Sequence, residues 1–420
     1  MTSWGPRKEK RQIIPDYSVY VLDQSGPADV APGEAGGWLS PARSALRKAC
    51  EVLKIPRVGD PPGRNIGVDA LRGFSILLVV LGHSISNAEN LLNASGYNLK
   101  YYVSNFLYMF HMPLFFLISG YVLFGKHIRV RDRALRLLPP FFAWIPVYWF
   151  VNRYIHHFPW PVKFLATFKQ TVLEPGAGLW FLPTLFLCSL LLIPVINLEK
   201  WRNWTGEVSL VVIFIGVNLI PYEKLGMLQV KYFFFYFALG YLAAKHRSRI
   251  DRIGRERMNA ALLGCSTLFL VLFTVLYYYG RINPFTFPFS LSILFKTPLV
   301  YIIRYSMAVL GIVFSIAVIT AFKTGRARTA FAWIGLVTMD IYVAHGLMVQ
   351  VTFGSGWLKV LVSCITGVFL SLALSFLVLR RWWVTGALFL GTKPERKRRH
   401  TEKTDHPPGA RDLESGRTTD

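Results

Sequence analysis

Apolar runs recur along this chain, each bounded by a short polar or basic stretch. The runs are continuous rather than alternating, and ten of them read as membrane-spanning helices. They lie near 66–86, 103–125, 138–153, 179–197, 207–221, 230–245, 258–279, 304–323, 331–353 and 356–379. A β-barrel would show short alternating segments instead, so the pattern excludes one. It predicts an all-α integral membrane protein, a bundle of about ten transmembrane helices within residues 64–380. The stretch from Pro284 to Ile303 is apolar but interrupted by Pro284, Pro288, Lys296 and Pro298. It reads as a re-entrant segment, an interfacial segment or an eleventh span.

The flanks are different in kind. Residues 1–63 are polar, basic and rich in Pro and Gly, and are expected to be a mostly disordered tail. Within them SPARSALRKACEVLKI fits a short amphipathic helix that PRVGDPPGR would end. No apolar core of a cleavable signal is present there, so the first span is expected to direct insertion itself. Residues 381–420, with KPERKRRH and a mixed-charge run, are expected to form a second disordered tail.

Composition agrees with the hydrophobic pattern. Of 420 residues, 53% are hydrophobic and 15% aromatic. Mean hydropathy is +0.38, more apolar than an ordinary soluble domain. The net charge of +24 would suit a nucleic-acid binder if it were spread over a surface. It is not. GKHIRVRDRALR follows the second run, LEKWRN the fourth, KHRSRIDRIGRER the sixth, KTGRAR the eighth and RR the tenth. The alternate loops carry far less basic charge. This is an orientation signal, and it excludes a nucleic-acid partner. With an even number of spans both tails fall on the basic side, the cytoplasm, in a plasma (inner) membrane protein. An eleventh full crossing would invert KTGRAR. The same side would also suit a polyphosphate ligand or anionic lipid headgroups. Cys50, Cys188, Cys265 and Cys364 have no metal-site or disulfide spacing.

Arg72 and His83 stand eleven residues apart inside VDALRGFSILLVVLGHSIS. An ionisable group inside a span is costly and is a functional candidate by default. Eleven residues are roughly three helical turns, so both side chains share one face about 16 Å apart. Arg72 is either an anchor reaching for the interface or a binding group, and Asp69, three residues earlier, can reach it. His83 is either a catalytic imidazole or a buried histidine bonded to a neighbouring helix. His111 lies two residues before Pro113, where a kink suggests a cavity wall, and a structural role is equally open. Asp340 and His345 are about 140° apart around a helix, so a direct relay between them is not expected. Asp340 is expected to satisfy a neighbouring helix. Glu174, His156 and His157 read as outer-loop residues, and Asn93-Ala-Ser as a bare sequon.

GVDALRGFSILLVVLGH resembles the first-helix signature of the acyltransferase-3 family: Arg72, ten residues, then His83. FLYMFHMPLFFLISGY continues the resemblance with His111, Pro113, Ser119, Gly120 and Tyr121. RDRALRLLPPFF carries the family's paired arginines at Arg133 and Arg136, and GLWFLPTLFLC its Trp-Phe-Leu motif at Trp180. KYFFFYFALGYLAA and MDIYVAH, with His345, resemble later motifs in the expected order. The resemblance implies transfer of an acyl group, commonly acetyl from acetyl-CoA, to hydroxyls of cell-surface sugars, polysaccharides or lipids. Acyl-CoA is then a co-substrate, with no permanently bound cofactor and no metal.

On that reading His83 is the general base and Arg72 meets the anionic donor together with Arg133 and Arg136. His111, His345, Ser119, Trp180 and Asp69 are expected to line the chamber. The two arginines of the pair also suit the basic loop that topology requires. A proton-coupled transporter of a small anionic or sugar-like solute is the alternative, because buried ionisable groups suit it as well. A catalytically dead binding scaffold is disfavoured by the intact Arg72 and His83.

Overall fold

The computed structural model describes Pro56, Val58 and residues 64–88, 99–155, 163–175, 179–278, 298–322 and 325–392. They are helical, and no strand occurs among them. In chain order the helices are α1 (Ile66–Asn87), α2 (Leu99–Tyr121), α3 (Val130–Phe150), α4 (Phe164–Leu173), α5 (Phe181–Glu199), α6 (Asn203–Leu219) and α7 (Met227–Lys245). Then follow α8 (Arg255–Tyr278), α9 (Pro298–Ala321), α10 (Arg326–Leu336), α11 (Thr338–Met348), α12 (Gly356–Leu374) and α13 (Trp383–Leu390). Each of the ten apolar runs is helical. Among the described residues eight helical segments are long and apolar enough to cross a bilayer, α10 and α11 form a bent pair that passes the same test together, and α6 is a shorter apolar helix. The chain is a multi-pass integral membrane protein.

Three expectations are corrected. First, α3 begins at Val130 rather than near 138. RDRALR is itself helix-forming, and Asp132 in the first turn suits the positive end of the helix dipole. Arg133 and Arg136 therefore sit on a helix and not in a loop. Second, the expected continuous span 331–353 is bent by 79° between α10 and α11. The break starts a new helix, α11, whose first turn carries a buried carboxylate. There Asp340 receives Nε and Nη2 of Arg380, each at 2.7 Å, and the hydroxyl of Ser375. Third, the stretch expected as a tail from residue 381 opens with α13. Its C-cap Gly391 has φ +64, the left-handed region that suits glycine. Trp144 Nε1 donates to the Phe389 carbonyl at 3.0 Å, which fastens α13 against α3. The remainder of both tails, His156, His157, Asn93 and residues 284–297 lie outside the described residues.

Lipid offers no hydrophobic drive between helices, so close backbone packing matters. Gly73 of α1 and Gly335 of α10 make one such contact. A Cβ on either would strike the other helix's backbone, at the Phe331 or the Asp69 carbonyl. Gly120 of α2 and Gly240 of α7 make another, against the Phe237 and Leu117 carbonyls. Phe116 of α2, Phe233 of α7 and Trp180 before α5 stack, with centroids 4.6 and 5.1 Å apart for the two successive pairs. By contrast α8 buries only Ser266, Phe269 and Phe273 among its described residues and lies at the edge.

Gly240→Ala should lower the thermal unfolding midpoint of the purified protein in detergent, because α2 and α7 must move apart. Gly216→Ala in α6 meets open space, so it should leave the midpoint unchanged or raise it, given glycine's helix penalty of roughly 0.5–1 kcal/mol. Equal midpoints for both variants would show that the glycine contact contributes nothing.

Candidate functional site

A cavity of about 770 Å³ lies among α1, α2, α3, α7, α9 and α11. Its wall residues come from the ends of these helices remote from the basic segments. His83, His111, His345 and Trp180 all border it. His83, on α1, is exposed and borders the cavity. Its ring centroid is 5.1 Å from that of His345 on α11 and 6.3 Å from that of Tyr108 on α2.

Two of the histidines have a defined proton. His111 Nδ1 lies 2.6 Å from the Leu107 carbonyl, and His345 Nδ1 lies 2.7 Å from the Tyr342 carbonyl. A carbonyl oxygen only accepts, so each Nδ1 carries the hydrogen and each neutral ring keeps its lone pair on Nε2. His345 Nε2 is buried and has no hydrogen-bond partner among the described residues.

The other end of α1 is built differently. Asn65 caps the helix by accepting from Gly67 N at 2.9 Å and Val68 N at 3.2 Å. Asp69, 4% exposed, receives Arg64 Nη2 at 3.0 Å and Arg72 Nη1 at 3.4 Å. Arg133 Nη2 donates to Ser189 Oγ at 2.7 Å, while its Nε is buried without a hydrogen-bond partner. Arg136 and Lys126 complete the group, and Arg64, Arg72, Lys126, Arg133 and Arg136 lie close enough to repel one another. Lys126, in the loop between α2 and α3, is held below its ordinary range by partial burial and then by Arg72, Arg133 and Arg136. Asp132 is turned toward Arg129 at 3.0 Å. This concentration of cations around Asp69 favours an anion.

The structure thus divides the expected site residues between two places. Arg72, Arg133 and Arg136 gather at the basic end. His83, His111, His345 and Trp180 gather at the cavity. Ser119 and Asp69, expected on the chamber wall, are not on it. Ser119 is eight residues beyond His111 along α2, about 12 Å toward the basic loop. Asp69 lies beneath Arg64 and Arg72. Asp340 is paired with Arg380, beyond the end of α12, and not with His345, and Glu174 is exposed beyond α4.

Other cavity residues were not foreseen. Arg304 is 9% exposed, borders the cavity and places its guanidinium carbon 5.5 Å from the ring centre of Tyr232. An ionisable residue within an apolar run was the available signal. It was missed because the span was taken to start at 304, whereas α9 starts at Pro298. Asn152, Gln229 and Gln350 add amide groups to the wall. Gln350 Nε2 donates to the Gly346 carbonyl at 3.0 Å, and its Oε1 is buried without a hydrogen-bond partner. Polar amides in loosely bounded helix ends carry no pattern that marks them. No carboxylate borders the cavity among the described residues.

The family model described as an acyltransferase domain matches residues 65–380. The nodulation protein NolL of Sinorhizobium fredii is 30% identical over 189 residues, 43% of this chain and 49% of that protein. The NolL protein of Mesorhizobium japonicum is 26% identical over 189 residues, 43% of this chain and 48% of its own. The chain spans about half the length of these curated relatives. No solved structure matches. The family match takes in both ends of α1, the basic group and the cavity helices through α12, and on that extent the chain belongs to the acyltransferase-3 family.

Proposed function

We propose that this chain is a membrane O-acyltransferase. It moves an acyl group, acetyl in the first place, from acyl-CoA to a hydroxyl of a cell-surface glycan or glycolipid. The observation that carries the reading is the pairing on one helix of an anion-attracting end at Arg72 with a histidine-lined cavity at His83. Coenzyme A has the matching shape. Its phosphates are separated from its thioester by a long uncharged arm.

At the basic end Arg72, Arg133 and Arg136 bind donor phosphates, with guanidinium groups suited to bidentate contact. In the cavity His83 takes the proton of the acceptor hydroxyl as its oxygen attacks the thioester carbonyl. Trp180 offers an aromatic face to a sugar ring, and Asn152, Gln229 and Gln350 offer hydrogen bonds to its hydroxyls. The donor is a co-substrate that arrives and leaves, and the chemistry calls for no metal.

Orientation follows from the same scheme. The basic segments face the cytoplasm, where acyl-CoA is made, and the cavity faces the outer side of the plasma membrane, where the glycan is. The rival reading, a proton-coupled carrier, draws on the broken pair α10–α11, a feature of transporter folds. A carrier would release no CoA.

Purified protein given acetyl-CoA and a glycan extract should release free CoA. His83→Ala and His83→Gln should each lower that rate by about 10²–10⁴-fold, the usual worth of a general base, at unchanged yield of folded protein. Near-normal release by either variant would remove His83 from the chemistry.

Arg72→Ala should raise the KM for acyl-CoA more than Arg72→Lys does, because alanine loses both the charge and the fork while lysine loses only the fork. Arg133→Ala should act in the same direction. Titration of acyl-CoA against each variant measures this, and unchanged KM in all three would place the donor elsewhere.

Single cysteines at Ser248 and Lys169, both exposed, report sidedness in a background lacking the four native cysteines. A membrane-impermeant thiol reagent added to intact cells should label position 169 and spare 248. The opposite labelling would put the basic end outside and defeat the scheme.

A further inference from the structure

We propose that His345 is a positioning residue for His83: it accepts the His83 N–H and so decides which His83 nitrogen takes the proton. The inference rests on the acyl-transfer reading above. It begins with an acceptor that lacks a donor. His345 commits Nδ1–H to the Tyr342 carbonyl at 2.7 Å, one helical turn back on α11. That bond fixes the tautomer and leaves a lone pair on Nε2. Nε2 is buried, on a side chain 4% exposed that borders the cavity, and no described residue donates to it. A buried acceptor of this kind calls for a donor.

His83 is the donor within reach. Two imidazoles joined by one N–H···N bond have ring centroids about 5 Å apart, the sum of the bond span and two ring radii. The His83 and His345 centroids are 5.1 Å apart, with the rings tilted by 54°. The separation is right and the aim is not yet made. His83 faces open cavity and has room to turn about its side-chain bonds. His345 does not, being held by its own hydrogen bond. The helix it stands on is held in turn, since Asp340 is tied to Arg380 and Ser375 one and a half turns earlier. Tyr108 stands edge-to-face with the His83 ring, their centroids 6.3 Å apart.

With one His83 nitrogen donating to His345, the other presents its lone pair to the cavity. The acceptor hydroxyl gives that nitrogen its proton as the oxygen bonds the thioester carbonyl carbon. The carbon–sulfur bond then breaks, and the departing sulfur takes the same proton from His83 to leave as a thiol. His345 keeps its proton throughout and supports the transient imidazolium, as the third member of a triad does. Its neutral acceptor suits an apolar bundle where a carboxylate would be costly.

The test compares His345→Phe with His345→Gln by steady-state CoA release. The phenyl ring accepts nothing, so kcat should fall by roughly 100-fold, with KM for both substrates within about two-fold of the parent. The glutamine carbonyl accepts a hydrogen bond, so His345→Gln should recover most of the loss. Equal kcat in the two variants, or a loss that falls on KM instead, would overturn the proposal. A second readout does not need turnover. Nitrogen-15 spectra of histidine-labelled protein should show one neutral tautomer for His83 in the parent and a mixture in His345→Phe. A mixture in both would overturn the proposal even with acyl transfer intact. Failure of the parent to release CoA would instead remove the proposed function, and the tautomer comparison would still decide the role of His345.

Discussion

A charge within a helical membrane bundle is costly unless something answers it, and the arrangement of this protein follows from how each charge is answered. Asp340, 2% exposed, is met by Nε and Nη2 of Arg380, six residues beyond α12. Glu199 is met by Lys245 at 2.8 Å and by the Tyr241 hydroxyl. Arg304 lies over the face of Tyr232. Around Asp69 the cations outnumber the carboxylate that faces them. Such a surplus attracts an anion.

Helix α1 joins that surplus to the cavity. Its lower turns are crowded, with Gly73 pressed on the α10 backbone and Asp69 beneath two guanidinium groups. Its upper turns border empty space. Three helical turns separate the two, and a rigid helix keeps that separation fixed. In the proposed reaction, a donor with its charge at one end and its reactive carbonyl at the other would be measured by the helix itself. Trp180 and Phe233, stacked with Phe116, and Trp144, backed by α13, line the cavity.

Much of this was legible in the residues alone. Apolar run length marked all ten helices, because hydrocarbon thickness imposes a length that chemistry cannot evade. Arg72 and His83 were visible because a charged or titratable residue stands out in such a run. Less visible were features that depend on contacts between distant segments. The break between α10 and α11 has no proline to announce it. It follows from Gly335 meeting α1 and from Asp340 being held by Arg380. Ser119 was misplaced because helical position along the bundle axis, and not motif membership, decides which side chains reach the cavity. Gln229, Asn152 and Gln350 were missed because polar residues at helix ends are ordinary in sequence and are singled out only by the space they border.

The broken helix gives these separate observations a common cause. Helix α10 packs along α1, with Gly335 and Gly73 at their contact. The 79° bend turns α11 away from that line, and the His345 ring on α11 comes to lie 5.1 Å from His83. The first turn of α11, freed by the break, needs a partner for its buried carboxylate, and Arg380 supplies it. The Asp340 ion pair lies off the cavity wall, one and a half turns from His345, and holds the segment that brings the second histidine to the first. Charge compensation and site geometry are here the same structural event.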